Sequence, residues 1–180
     1  TISTLDIIAT QKQNISYKNI AEIDYLTGLY NRAPMNEIIS KHFKMLSNHQ
    51  IHSLAIILCD IDNFKNVNDT YGHIFGDIVL SKVAEILNIK ISKFGKICRW
   101  GGEEFMLVFE NHTLEETLTC LEQLQAEIRE FVHAIEETEI YVTMTFGVAC
   151  DGTLEIEELI ELADHKLYEG KSAGRNCIVS

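Results

Sequence analysis

Two strand-like runs, residues 96–100 and 105–110, are separated only by Gly101-Gly102-Glu103-Glu104. A link that short has no room for a crossover, so the two runs must lie side by side and antiparallel. The rest of the chain alternates differently. Met35, Ile38, Ile39, Phe43 and Leu46 recur at helical spacing behind Pro34, a residue that fits a first turn, and predict a helix over 31–46. The apolar run 53–59, rich in Ile and Leu, predicts a strand buried on both faces. Helices are expected over 75–91, 114–135 and 156–170, a strand over 140–149, and a short terminal strand over 177–179. Helical links favour parallel neighbours, so adding one antiparallel hairpin gives a mixed central β-sheet flanked by helices, an α+β fold.

Of 180 residues 46% are hydrophobic, enough for a sizeable core, which excludes global disorder. Lys and Arg number 15 against 27 Asp and Glu, a formal net charge of -12. Such a surface repels polyphosphate and excludes a non-specific nucleic-acid binder, so a phosphate ligand must be held locally by a few cations or by metal ions. No apolar run approaches the roughly 18 residues of a membrane span, and neither a signal peptide nor direct membrane contact is expected. The five cysteines are odd in number and lack C-x-x-C spacing; Cys59, Cys98 and Cys150 sit in apolar runs and read as small buried side chains in a reducing cytoplasm. Residues 1–23 are polar with a partial heptad seam of Leu5, Ile8 and Ile15, interrupted by Lys12 and Asn19, which predicts a helical linker ahead of a domain at 24–180. The first residue is Thr, and a longer parent protein is expected.

Asp60-Ile61-Asp62 follows directly on the central strand, where side chains of a rigid sheet first meet solvent. Asp60 is well placed there to hold a hard cation, whereas Asp62 reads as a cap for the helical turn that follows. Glu103 and Glu104 are costly side by side unless a cation lies between them. If the glycine hairpin borders strand 53–59, Glu103 and Asp60 can share Mg²⁺, with the Ile61 carbonyl as a further oxygen ligand. The stretch from Phe64 to Asp77 is dense in donors and acceptors. Lys65 can reach phosphate, and Asn68 and Asp77 can read a base edge. His73 is open between a helix start, a packing role and a ligand contact. Lys171 and Arg175, four residues apart, either complement a helix dipole or clamp phosphate.

Five ordered motifs across 24–180 carry a resemblance: Asp24-x-Leu26-Thr27-Gly28-Leu29-x-Asn31-Arg32, the Asp60-to-Asp77 block, Arg99-x-Gly101-Gly102-Glu103-Glu104-Phe105, Thr145-Phe146-Gly147-Val148-Ala149, and Ala163-Asp164 through Tyr168, Lys171, Gly174, Arg175 and Asn176. Together they resemble the GGDEF domain of the diguanylate cyclase family. The resemblance implies a ferredoxin-like palm of nucleotidyl-cyclase type that condenses two GTP into cyclic di-GMP and releases pyrophosphate. It implies two Mg²⁺ per site, with Mn²⁺ as a substitute, held by Asp60, the Ile61 carbonyl and Glu103. Glu103 takes the base role towards the ribose 3′-hydroxyl and Lys171 stabilises charge; Lys65 and Arg175 meet the triphosphate, Asn68 and Asp77 the guanine, and His73 the substrate. A homodimer, an upstream sensor joined through a signalling helix, and a cytoplasmic site, including the cytoplasmic part of a membrane-anchored sensor, are also implied. The family's Arg-x-x-Asp product-inhibition motif is missing, because Ser92 and Gly95 stand at its ends, and Thr145 stands where Ser is commoner.

Overall fold

In the computed structural model, which describes residues 22–130, 133–135 and 138–180, the central strand β1 (Leu54–Ile61) is buried along its whole length. Its even and odd residues serve two separate cores. Ala55, Ile57, Cys59 and Ile61 pack with α3 (His73–Ile91) and α4 (Leu114–Glu130). Leu54, Ile56 and Leu58 pack with α1 (Arg32–Ser47) and α5 (Ile156–Ser172). A strand with helices on both faces needs apolar side chains at every position, as this run has. The remaining elements are α2 (Phe64–Tyr71), β2 (Gly95–Gly101), β3 (Glu104–Glu110), the small hairpin β4 (His133–Ile135) and β5 (Thr138–Ile140), β6 (Met144–Ala149) and β7 (Ile178–Val179).

The five-stranded sheet has the order β2-β3-β1-β6-β7. Within it β1 pairs antiparallel with both β3 and β6, and only β6 and β7 pair in parallel. Parallel neighbours were expected across the helical links; β6 and β7, joined by α5, are such a pair, but the other two links differ. Those two also join parallel strands, β1 to β2 and β3 to β6, but in each case a third strand lies between them. This is the split arrangement of a ferredoxin-like fold. Two boundaries also shift. The expected helix 114–135 stops at Glu130, and 133–135 pairs with 138–140 instead. Ile128, Val132 and Ile135 keep a spacing of three to four that fits a helix, but the β-branched run through Thr138, Ile140 and Val142 favours a hairpin. The expected strand 140–149 accordingly divides between β5 and β6. The seam at Leu5, Ile8 and Ile15 lies outside the described residues.

Helix α5 lies directly on β6. A Cβ at Gly147 would collide with the Ala163 carbonyl and the Leu167 amide, so the glycine lets the helix backbone reach the strand. That close approach fixes where the last turn of α5, with Lys171, meets the end of the sheet. Cys59 and Cys98 are buried as expected, whereas Cys150 is half-buried; all five thiols are free. Burial pushes the Cys98 thiol up to about 12. Among the described residues no helix is long and apolar enough to cross a membrane.

The segment before α1 is tied to the β2–β3 hairpin. Asp24 accepts hydrogen bonds from the Thr27 amide (2.9 Å) and hydroxyl (2.7 Å), and Arg99 Nη1 reaches both of its oxygens at 3.1 and 3.0 Å. Burial raises the Asp24 pKa, but those bonds and the Arg99 charge outweigh it and hold the carboxyl below its usual range. A carboxylate with a depressed folded pKa stabilises the fold above its unfolded pKa, and loses that contribution as pH falls through the folded value. Asp24→Asn is therefore expected to cost on the order of 1–2 kcal/mol at pH 7, with the gap to wild type closing below about pH 4. Denaturant unfolding from pH 7 to pH 2 checks this, and a gap unchanged at pH 2 contradicts it.

Candidate active site

The hairpin, the end of β1 and the last turn of α5 meet at one edge of the sheet. Asp60 lies opposite Glu104 on β3 and Thr145 on β6. Directly opposed residues of antiparallel strands share a face, so all three side chains emerge on the side that α5 covers. Lys171 Nζ lies 3.0 Å from Asp60 Oδ2 and 3.9 Å from Glu104 Oε1. The Asp60 side chain is only 12% exposed. Burial is the main reason its pKa is raised to about 6; Glu103 and Glu104 push it the same way, and Lys171 opposes them by hydrogen bond and charge.

The turn carrying Glu103 is docked against β1 by its backbone, since the Ile61 amide donates to the Glu103 carbonyl at 3.3 Å. Its shape is set by β2 and braced from outside the hairpin by Asp24 and Arg32. The register slips between Arg99 and Gly101, leaving Trp100 as the extra residue of a bulge. Arg99 Nε donates to the Gly102 carbonyl at 2.9 Å, while its Nη1 holds Asp24. Arg32 stacks over the Trp100 ring at 4.1 Å. The motif from Asp24 to Arg32 thus braces the turn through Asp24 and Arg32, a role that the sequence reading did not assign.

The expected nucleotide-facing residues lie on exposed ends of elements. Lys65 is exposed and Asn68 half-buried on α2, with the Asn68 carboxamide against Gly76 of α3. His73 is the first residue of α3, so its helix-start reading is correct in position, and it is exposed. Asp77 falls in the second turn of α3, whose N-cap is Gly72, so it does not cap that helix. Arg175 does not share a helix face with Lys171, because α5 ends at Ser172 and Arg175 sits in a left-handed turn beyond it (φ 67). Among the described residues the side chains of Lys65, His73, Asp77, Glu103 and Arg175 form no hydrogen bond or ion pair.

Asp62 differs from expectation most. The N-cap of α2 is Asn63, in a left-handed conformation, and no side chain caps that helix. The Asp62 carboxylate instead accepts from the Thr143 and Thr145 hydroxyls, both at 2.6 Å, and from the Asn176 amide at 2.9 Å. The hydroxyl at position 145 is what this arrangement needs, and Thr supplies it as Ser would. At the positions of the missing Arg-x-x-Asp motif, Ser92 ends α3 and a Cβ on Gly95 would lie 2.7 Å from the Phe109 ring.

The donor set fits a hard divalent cation. Among the described residues no three ligating side chains converge on one point, so no all-protein cage exists. Mg²⁺ characteristically binds through one or two carboxylates, completed by water and substrate phosphates. Asp60, Glu103 and the Ile61 carbonyl are the residues that would offer such a partial shell, Glu103 being near enough for its charge to raise the Asp60 pKa, and the burial cost of the Asp60 charge would fall when a cation met it.

A family model described as the GGDEF domain of diguanylate cyclase matches residues 21–177. Diguanylate cyclase A of Treponema denticola is 37% identical over 132 residues, covering 72% of this chain and 36% of that protein. The coiled coil and GGDEF domain of DgcB from Caulobacter crescentus, solved in complex with c-di-GMP, superposes with a TM-score of 0.92 at 25% identity, covering 98% of this chain and 94% of that one. The active GGEEF domain of a diguanylate cyclase from Vibrio cholerae superposes with a TM-score of 0.75 at 32% identity, covering 83% and 97% of the two chains. The chain spans between 26% and 47% of the length of the first curated relatives it matches.

Because Lys171 lowers the Asp60 pKa while burial raises it, Lys171→Met is expected to move the Asp60 titration in metal-free protein further up from about 6. Carboxyl ¹³C shifts followed against pH give the midpoint. A midpoint unchanged or lowered in the variant contradicts the pairing.

Proposed function

This chain belongs to the GGDEF family of diguanylate cyclases, and from that premise we propose that it condenses two GTP into cyclic di-GMP with release of two pyrophosphates. The observation that carries the proposal is the buried Asp60 carboxylate at the end of β1, with Lys171 at 3.0 Å and the Glu103 turn docked beside it. Joining a 3′-hydroxyl to an α-phosphate requires that the hydroxyl lose its proton and that the departing pyrophosphate's charge be held. Two Mg²⁺ held by Asp60, Glu103 and the Ile61 carbonyl would polarise the hydroxyl and neutralise phosphate charge.

The chain's own groups divide the remaining work. The Glu103 carboxylate accepts the 3′-hydroxyl proton. A carboxylate is a weak base for an alcohol, so this acceptance is secondary to polarisation of the hydroxyl. Lys171, Lys65 and Arg175 offset the negative charge of the triphosphate, in a protein that otherwise repels it. Asn68 and Asp77 read the guanine edge, and His73 makes a further contact. Guanine presents a ring N–H beside an exocyclic amine, and one carboxylate accepts from both; adenine has an unprotonated ring nitrogen at that edge. The position of Asp77 inside α3 removes helix capping as its reason for being acidic.

One domain binds one GTP, and each 3′-hydroxyl attacks the α-phosphate of the other, so two copies must meet about a two-fold axis. Residues 1–23 serve as the linker that sets this pairing below an upstream sensor, and the domain at 24–180 works in the cytoplasm, where GTP is available.

Product analysis after incubation with GTP, ATP and their mixture in Mg²⁺ tests the reading. Cyclic di-GMP is the expected product, at a specific activity that rises with protein concentration. Asp60→Asn and Glu103→Gln are each expected to lower turnover by about 10²-fold or more. Asp77→Ser is expected to erode a GTP preference of about 10²-fold or more. No GTP-derived dinucleotide at any concentration, or full turnover in the Asp60 and Glu103 variants, contradicts it.

A further inference from the structure

The segment linking α5 to β7 turns sharply within five residues. Gly174 (φ 120), Arg175 (φ 67) and Asn176 (φ 50) are consecutive positive-φ residues. Glycine adopts this region freely and Asn tolerates it, but an arginine there persists only when its surroundings hold it. The peptide groups on either side of Arg175 are fixed. Its own amide donates to the Gly170 carbonyl at 2.9 Å. The next amide, that of Asn176, donates to Asp62 Oδ2 at 2.9 Å and lies 3.1 Å from Thr145 Oγ1. Asp62 is itself locked, being 5% exposed with the Thr143 and Thr145 hydroxyls each at 2.6 Å.

We infer that Asp62 is a positioning residue for the nucleotide's phosphates, pinning the strained turn so that the Arg175 side chain leaves it in one direction, towards the site edge marked by Asp60 and Lys171. The inference rests on the reading in which Arg175 meets the triphosphate. Asp60 and Asp62 then hold the two ends of one basic segment: Asp60 takes the Lys171 ammonium, and Asp62 takes the backbone just after Arg175. Three donors converge on Asp62, which suits a carboxylate because it accepts from all of them and donates nothing. The Arg175 side chain is exposed and has no ion pair among the described residues, so its backbone is fixed while its charged head stays available.

Binding of 3′-deoxy-GTP, which lacks the attacking hydroxyl, is compared with binding of GMP by equilibrium titration. Arg175→Ala is expected to weaken 3′-deoxy-GTP about tenfold and GMP less than twofold. Asp62→Ser is expected to show the same selective loss, and the double variant to be no weaker than the poorer single, because nothing is left to position. Asp62→Asn, which keeps an acceptor for the Asn176 amide, is expected to restore most of the affinity. Should Asp62→Ser fail to fold, Thr143→Val loosens the carboxylate by one donor, and a smaller loss, still confined to 3′-deoxy-GTP, is expected. Equal losses for both nucleotides, or single losses that multiply in the double variant, overturn the inference and leave the Arg175 reading standing. If Arg175→Ala leaves 3′-deoxy-GTP binding unchanged, the Arg175 reading fails and the inference fails with it.

Discussion

Asp60 ends a strand buried on both faces, and its carboxylate must be met by positive charge or lose its own. Much of the molecule follows from that requirement. Gly147 lets α5 settle on β6, which brings Lys171 within 3.0 Å of the carboxylate. The hairpin places Glu104 opposite Asp60 and docks the Glu103 turn on the Ile61 amide. Adding those carboxylates worsens the electrostatic problem that Lys171 relieves. A fold selected for stability alone would gain by replacing such a cluster with apolar side chains. Retaining it accords with a site whose charges are completed by substrate and cation.

The charges at this edge are held by a second set of residues that touch no reacting atom. Arg99 shapes the Gly102 turn and is itself held by Asp24. Asp62 ties the ends of β1 and β6 to the turn after α5. Asp24, ahead of α1, is tied through Arg99 to the hairpin that carries Glu103.

The alternation of strands and helices was readable because periodicity reports burial, and the four-residue gap at 101–104 left one possible geometry. Strand neighbours were not readable: a helical link fixes the relative direction of the strands it joins but not whether a third strand enters between them. Residues whose chemistry stands alone, such as Asp60 and Lys171, were legible from their position at element ends. Asp62 was misread because a carboxylate before a helical turn has a local partner in the sequence, whereas its true partners lie 81, 83 and 114 residues away. Arg99 beside a glycine pair and Asp24 in a polar stretch carried the only hint of their pairing, and no local rule connects them.

The central claim is that the acidic edge formed by Asp60 and Glu103 binds a divalent cation, and is not merely a charge pair for Lys171. Mn²⁺ titration monitored by electron paramagnetic resonance, with 3′-deoxy-GTP present, measures this without turnover. The account predicts saturable Mn²⁺ binding to the wild-type protein, weakened at least about tenfold in both Asp60→Asn and Glu103→Gln. Undiminished Mn²⁺ affinity in both variants would contradict it.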